Sequence, residues 1–520
     1  MVCPAPSSSP TAALPVTLAT GAGTLRGRRV DGVDAYLGVP YARPPVGELR
    51  FAAPRGRTAP FVDHDATRPS PAVPQPPSRL AALMGDPGGT QDEAGSLTLN
   101  VWAPVGARDL PVLLWLHGGA LLSGSASWPW YDGARLAASQ DVVVVTASYR
   151  LGALGYLDLR GTAAADDSIS PNNGLLDQMT ALEWVVDHIA DFGGDPARIT
   201  LGGQSSGAES AALLAGSPRT GPHVRRLLLQ SGGAHGWVQS EEAASAVAEE
   251  YLAVLAERHG AEARTAAGLR SLPTRALLDA QVDLLGRRAA RRLTDPPFGV
   301  ATASDVPLGG TRSFLAARPD LPILAGWTRD ELLGFVSLDP SAGAMTEEVA
   351  LGALTARFGD RAGDLLRHYR AARPDAGPAA LVAAISGDAV MMAPALDLAR
   401  SRVEAGAPVF LYRFDWSRSP AGACHCVDLP FTFGSLDAWP DAAMLGPGDR
   451  TALEPLAGRL MGAVGSFVRS GRPAATDVEP AWPDWSRDET VALLDTDGPA
   501  VAAGLGRVER DLLASAMPAS

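Results

Sequence analysis

The chain contains no lysine: all 44 of its basic residues are arginine. That absence excludes a phosphate-loop lysine, a Schiff-base lysine and the Ser-x-x-Lys nucleophile pair of penicillin-binding proteins. Cysteine is nearly as scarce. Of the three present, Cys3 lies in a polar tail, and Cys424 and Cys426 are one residue apart, which is neither a disulfide framework nor a zinc pattern. Positive charge is outweighed, with a net charge of −13 and an isoelectric point near 5.1. Such a balance argues against nucleic acid and anionic membrane surfaces as partners. No apolar run reaches the roughly 18 residues that a bilayer span requires. Met1–Ser9 has neither the basic start nor the apolar core of a signal peptide. The expectation is a soluble, cytoplasmic protein. His, Cys and Asp do not cluster at ligand spacing, so neither a metal nor a cofactor is expected.

What is present is enough apolar material for a large core, 46% of 520 residues. Residues 1–15, rich in Ser, Pro and Ala, read as a disordered tail. No linker divides the remainder, so residues 16–520 read as a single large domain. Apolar, β-branched runs at Leu97–Trp102, Pro111–Leu116, Asp141–Thr146, Arg225–Gln230, Pro322–Ala325 and Pro408–Tyr412 read as strands. Between them, Gly174–Phe192 carries helical spacing, with Leu175, Met179, Leu182, Val186 and Ile189 on one face. Residues 238–300 also read as helical. Strands alternating with helices predict an α/β fold, its mostly parallel sheet covered on both faces.

One stretch carries chemistry on its own. Ile199-Thr-Leu-Gly-Gly-Gln-Ser-Ser-Gly-Ala208 places Gly203, Ser205 and Gly207 in a G-x-S-x-G pattern between a short strand and a helix start. This is the signature of a nucleophile elbow, a turn so tight that only small flanking residues fit. A serine hydroxyl is a poor nucleophile at neutral pH, so Ser205 needs a base and an acid elsewhere in the chain.

Further motifs accompany the elbow. They are Tyr36-Leu-Gly-Val-Pro-Tyr-Ala-Arg-Pro-Pro-Val-Gly47, Leu99-Asn-Val-Trp102, His117-Gly-Gly-Ala120, Asn173-Gly-Leu-Leu-Asp-Gln178 and Phe192-Gly-Gly-Asp-Pro196. Gln230-Ser-Gly232, Asp330-Glu331 and His425-Cys-Val-Asp-Leu-Pro430 complete the set. Together they resemble the type-B carboxylesterase family, which includes para-nitrobenzyl esterases and cholinesterases. The resemblance implies an α/β-hydrolase fold with inserted lid or cap helices, residues 238–300 belonging to the substrate pocket. It implies His425 as the base, C-terminal to the serine as the order of such hydrolases demands. Of the remaining histidines, His64, His188, His223, His235, His259 and His368 suit surface or packing roles, and His117 suits holding the loop it opens. Asp330 and Glu331 both follow an apolar strand; the family uses the second of the pair, which is Glu331. The oxyanion loop is Gly118, Gly119 and Ala120, with the amides of Gly119, Ala120 and Ser206 as donors. Ser231 resembles a family serine that hydrogen-bonds near the triad, though a plain turn serine fits equally.

Four departures from the family stand out. Gln204 replaces the usual glutamate before the nucleophile, removing a negative charge near the histidine. Ala94-Gly-Ser96 replaces Glu-Asp-Cys, so the acidic pair of the family's internal salt bridges is expected to be missing. Leu121 replaces an aromatic residue after the oxyanion loop and is expected to reshape the pocket, and Leu332 stands where glycine is usual. The expected function is a carboxylesterase, hydrolysing small-molecule carboxylic esters through an acyl-enzyme on Ser205. Two alternatives are an acyltransferase using the same triad and a silent cholinesterase-like binding protein.

Overall fold

The computed structural model describes residues 13–515 apart from 58, 167, 234–237, 292, 294, 304–305, 307–314, 316–317 and 475–481. Most of the stretch read as a disordered tail, residues 1–12, lies outside the described residues, as does His235. Leu14 and Pro15 already belong to the first strand.

Among the described residues, fifteen strands follow in chain order. The first five are β1 (Leu14–Thr20), β2 (Gly23–Val30), β3 (Val33–Pro40), β4 (Phe61–Asp65) and β5 (Thr98–Pro104). Next come β6 (Leu110–Leu116), β7 (Val143–Ala147), β8 (Gly194–Gln204), β9 (Val224–Gln230) and the short pair β10 (Val238–Gln239) and β11 (Val300–Ala301). The last four are β12 (Ile323–Thr328), β13 (Val409–Phe414), β14 (Thr490–Asp495) and β15 (Gly498–Ala503). All but β10 and β11 join one 13-stranded sheet, ordered β1-β2-β3-β5-β7-β6-β8-β9-β12-β13-β14-β15, with β4 beside β2. The stretch from β7 to β14 is parallel throughout. Antiparallel strands flank it on both sides, β5 pairing with β7 and β15 with β14.

Period-two alternation explains why this sheet is covered twice. On β6, Val112, Leu114 and Leu116 enter one core, while Leu113 and Trp115 enter a second. On β13, Val409 and Leu411 share the first core, and Phe410, Tyr412 and Phe414 the second. Strands buried on both faces carry no polar alternation, so they read as continuous apolar runs. The helix Ser206–Gly216 sends Ala208, Ala211 and Ala212 into the first core, and the helix Ala134–Gln140 sends Leu136 and Ala137 into the second.

The strand order also locates the cleft. After β6 the chain crosses to β7 on one side; after β8, its other neighbour, it crosses to β9 on the opposite side. Connections that part in this way leave a crevice at the carboxyl ends of the strands, where ligands of open α/β sheets bind. His117, Ser205, Ser231, Glu331 and His425 all lie beyond the carboxyl ends of sheet strands.

Some sequence expectations change in detail. The helix over 174–192 is Asn173–His188 with a 3-10 turn, Ile189–Phe192, at its end. Strand β8, which leads to Ser205, is longer than its apolar stretch, because Gly194–Pro196 extends it along β6. The missing internal ion pair is in fact present, since Glu93, one residue before the altered stretch, takes both arms of the Arg50 guanidinium at 2.5 and 2.6 Å. Helix Pro378–Glu404 is 27 residues long and apolar enough to cross a membrane, but 72% of its most apolar window is buried in the protein. Asp388 interrupts that run in the sequence, and the helix passes through it as a π turn, Asp388–Met392.

Candidate active site

Ser205 sits between β8 and the helix Ser206–Gly216 with φ 55° and ψ −127°. Such a conformation is costly for a residue with a Cβ and survives only where the surroundings force it. The two flanking glycines show how they do so. A Cβ on Gly203 would lie 2.4 Å from the carbonyl carbon of Gly207, and one on Gly207 would lie 2.1 Å from the Leu116 oxygen. The Ser205 N–H donates to the Gln230 carbonyl at 2.8 Å, which ties the elbow to the end of β9.

His425 arrives on the loop after β13, and Glu331 on the turn after β12. The His425 Nδ1 lies 2.6 Å from Glu331 Oε2. The other carboxylate oxygen accepts the Thr328 N–H at 2.8 Å, which fixes the rotation of the carboxylate. Backbone bonds zip the two loops together: Asp330 N–H to Ala423 O at 3.0 Å, and His425 N–H to Glu331 O at 3.1 Å. Asp330 has a separate task. Its Oδ2 accepts from Ala423 N–H at 3.1 Å and from Arg329 Nε at 3.0 Å, so it braces the histidine loop without facing the ring. Leu332 is accommodated because its backbone is right-handed, φ −98° and ψ −1°, where glycine is not needed.

Glu331 and His425 are 3% and 7% exposed, so their charges interact at short range with little water between them. Burial disfavours the imidazolium, while the neighbouring Glu331 carboxylate favours it, and His425 is held above the ordinary histidine value of 6.5. With Nδ1–H donating to Glu331, Nε2 carries the lone pair. The side-chain amide of Gln204 lies 3.1 Å from that atom, and its Nε2 is the donor. Ser205 is beside it on the same cavity wall.

The loop after β6 approaches the elbow from the other side. A Cβ on Gly118 would meet Gln204 Oε1 at 2.4 Å and Ser205 Cβ at 3.1 Å. Gly119, Ala120 and Leu121 all have positive φ, at 118°, 57° and 58°. Their carbonyls turn away accordingly, the Gly119 oxygen accepting from Leu122 N–H at 3.0 Å and Ser123 N–H at 3.1 Å. Among the described residues no hydrogen-bond acceptor faces the N–H groups of Gly119, Ala120 or Ser206. His117 holds this loop in place. It donates from Nδ1 to the Gly118 carbonyl at 2.8 Å and stacks on Tyr149 at 4.3 Å between centroids. Burial pushes its pKa down to about 4, so it stays neutral.

Ser231 is fully buried with φ 47°, and its N–H donates to Gly326 O at 2.8 Å. Its hydroxyl has no hydrogen-bond partner among the described residues, so it does not reach Glu331 or His425. Gln230, its neighbour, is better connected, donating to Tyr412 Oη at 2.7 Å, which in turn donates to Asp428 Oδ2 at 3.0 Å. Burial, reinforced by the charge of Glu331, raises the Asp428 pKa to about 6. Sequence reading passed over this residue; its only signal was its place in the histidine motif.

A cavity of about 290 Å³ opens over Ser205, His425, Gly118, Gly119 and Ala120. Its far walls are aromatic and aliphatic: Trp128, Trp130, Tyr131, Phe335, Met84 and, from the helix Thr274–Ala290, Val282 and Leu285. Leu122, rather than Leu121, lines it from the oxyanion loop. Among the described residues no three His, Cys, Asp or Glu side chains are arranged to hold a metal ion.

A strained serine between strand and helix, facing a carboxylate-bound histidine at the sheet's carboxyl edge, defines the α/β-hydrolase class. Comparison with known proteins narrows this: residues 13–510 match the Carboxylesterase family, and the chain belongs to it. It is 35% identical to a probable N-octanoylanthranilate hydrolase of Rhodococcus erythropolis, over 92% of this chain and 98% of that protein. It is 31% identical to the para-nitrobenzyl esterase of Bacillus subtilis, over 91% of this chain and 93% of the relative. A crystal structure of a carboxylesterase from Geobacillus stearothermophilus superposes with a TM-score of 0.83 at 32% identity, covering 96% of this chain and 99% of that one. The protein is a carboxylic-ester hydrolase.

Proposed function

We propose that this esterase works through Ser205 as nucleophile, His425 as general base and Glu331 as the acid that orients it. The observation that carries the reading is the 2.6 Å contact from Glu331 to His425 Nδ1, which leaves Nε2 as the basic nitrogen of a ring that lines the same cavity as Ser205. Ser205 Oγ attacks the ester carbonyl as His425 Nε2 accepts its proton. The charge that develops on the carbonyl oxygen is met by the free N–H groups of Gly119, Ala120 and Ser206, with Gly118 letting the loop approach closely. His425 then protonates the departing alcohol, and water reverses the sequence to release the acid. The apolar walls support uncharged acyl groups of moderate size. The continuous sheet from β1 to β15 supports residues 16–520 acting as one domain.

The test is pre-steady-state hydrolysis of 4-nitrophenyl butyrate. A burst of nitrophenol equal to the enzyme concentration, with the acyl group recovered on the Ser205 peptide, is the expected result. Turnover with no acylated Ser205 sinks the proposal.

Two further outcomes are expected. Gly119→Ala forces a Cβ to within 2.0 Å of the Ser123 oxygen, so the loop must move and its donors lose their aim. The variant's kcat falls by about 100-fold or more, and wild-type kcat in a folded variant rules out these donors. Gln204→Glu places a carboxylate where a neutral amide now lies 3.1 Å from His425 Nε2. An added negative charge stabilises the imidazolium, so the acid limb of the kcat/KM profile moves up by about one pH unit or more. The wild-type limb itself lies above 6.5, because Glu331 outweighs burial.

A further inference from the structure

Among the described residues that line the cavity, one carries a permanent charge, and it is positive. Arg79 stands at the rim, exposed, between Ser78 and Leu80. Among the described residues its guanidinium has no acidic partner, in contrast to Arg50, which is gripped by Glu93. It rests instead over the ring of Phe335, 5.4 Å from the centroid. Among the described residues no aspartate or glutamate lines the cavity. Gln204, beside the nucleophile, is neutral, so the innermost part of the pocket repels no anion either. This local balance runs against the whole molecule, whose net charge is −13. A freely diffusing anion is repelled by the net charge of the protein but attracted at this rim, where apolar walls of tryptophan, leucine and methionine weaken screening.

The direction of the charge is also set. The Phe335 ring that supports Arg79 lies 6.2 Å from the ring of His425. His425 must deliver its proton to the leaving oxygen, so the alcohol half of a bound ester lies on this side of the cavity. The guanidinium fork matches a carboxylate in geometry as well as charge, and among the described residues no acidic side chain takes up its N–H groups.

We propose that the preferred substrates are esters whose alcohol half is apolar and carries a carboxylate, and that Arg79 recognises that carboxylate. The inference rests on the Ser205–His425 reading above, which fixes the side on which the alcohol leaves. Arg79 is exposed at the rim yet partly desolvated by the cavity wall, which lowers its pKa below the ordinary arginine value, so a carboxylate arriving there meets a charge that water solvates incompletely. Binding brings a carboxylate to it while the apolar body of the alcohol covers Phe335.

The test compares 4-acetoxybenzoate with its uncharged counterpart 4-acetoxybenzamide, each rate normalised to its hydroxide-catalysed hydrolysis. Wild type, Arg79→Gln and Arg79→Glu are assayed at low and high salt, with 4-nitrophenyl acetate as reference. Wild type is expected to favour the carboxylate by about five- to tenfold in kcat/KM, mainly through KM. That preference disappears in Arg79→Gln, reverses in Arg79→Glu and shrinks as salt is raised. A ratio at or below one in wild type, or one that is the same in all three proteins, overturns the inference. If 4-nitrophenyl acetate is hydrolysed while the ratio is flat, only the inference falls. If wild type turns over none of the three esters, the Ser205–His425 reading falls and takes the inference with it.

Discussion

Ser205→Ala lowers kcat for 4-nitrophenyl esters by about 10⁴- to 10⁶-fold while leaving the fold intact. Alanine keeps the Cβ, so the strained backbone at φ 55° and ψ −127° is no worse than before, and only the attacking oxygen is lost. What activity survives comes from the oxyanion donors and from binding, which the substitution leaves in place. Ser206→Ala is the matched control. Its backbone N–H stays, and its hydroxyl only accepts the Leu121 N–H at 3.3 Å, so the expected loss is less than about tenfold. Steady-state rates with thermal melts of both variants decide the matter. Equal losses in the two would place the nucleophile elsewhere.

Glu331→Gln is expected to cost about 10³- to 10⁴-fold in kcat, although it changes one oxygen to nitrogen. The Thr328 N–H already claims one end of the side chain at 2.8 Å, so the glutamine must turn its oxygen there. Its NH₂ group then faces His425 Nδ1, which can only accept. The imidazole is forced into the tautomer with the proton on Nε2, and that atom can no longer take a proton from Ser205. A second signature follows from charge. Removing the carboxylate removes one of the interactions that hold His425 above 6.5, so the acid limb of residual activity moves to lower pH. Asp330→Asn gives the contrast, because Asp330 braces the Ala423 backbone and does not touch the imidazole. Kinetics that fall more for Asp330→Asn than for Glu331→Gln would exchange the two roles.

The contrast between these neighbours shows where sequence reading ends. Asp330 and Glu331 follow the same strand and differ by one methylene, so nothing local separates them; resemblance chose Glu331. In the structure the turn after β12 rotates one side chain towards the imidazole and the other towards a backbone amide 93 residues away. The same limit applied to Ser231, whose motif suggested a link to the triad. Its hydroxyl faces no partner among the described residues, whereas Gln230 beside it joins Tyr412 and Asp428.

Sequence alone determined the elements whose constraints are local. The elbow is such a case, because a turn that brings Gly207 against Leu116 tolerates no side chain at either flanking position. The buried parallel strands are another, since burial on both faces requires runs such as Val112–Leu116 that are apolar without interruption. Only the tertiary structure decided what depends on distant residues meeting. Gln204 touches His425 across 221 positions, and the cavity gathers Arg79, Trp128, Val282 and Phe335 from stretches that share no motif. Those contacts are set by the order of strands in the sheet and by the loops that leave its carboxyl edge. Periodicity records which face of an element is buried; it holds no information on which other element covers it.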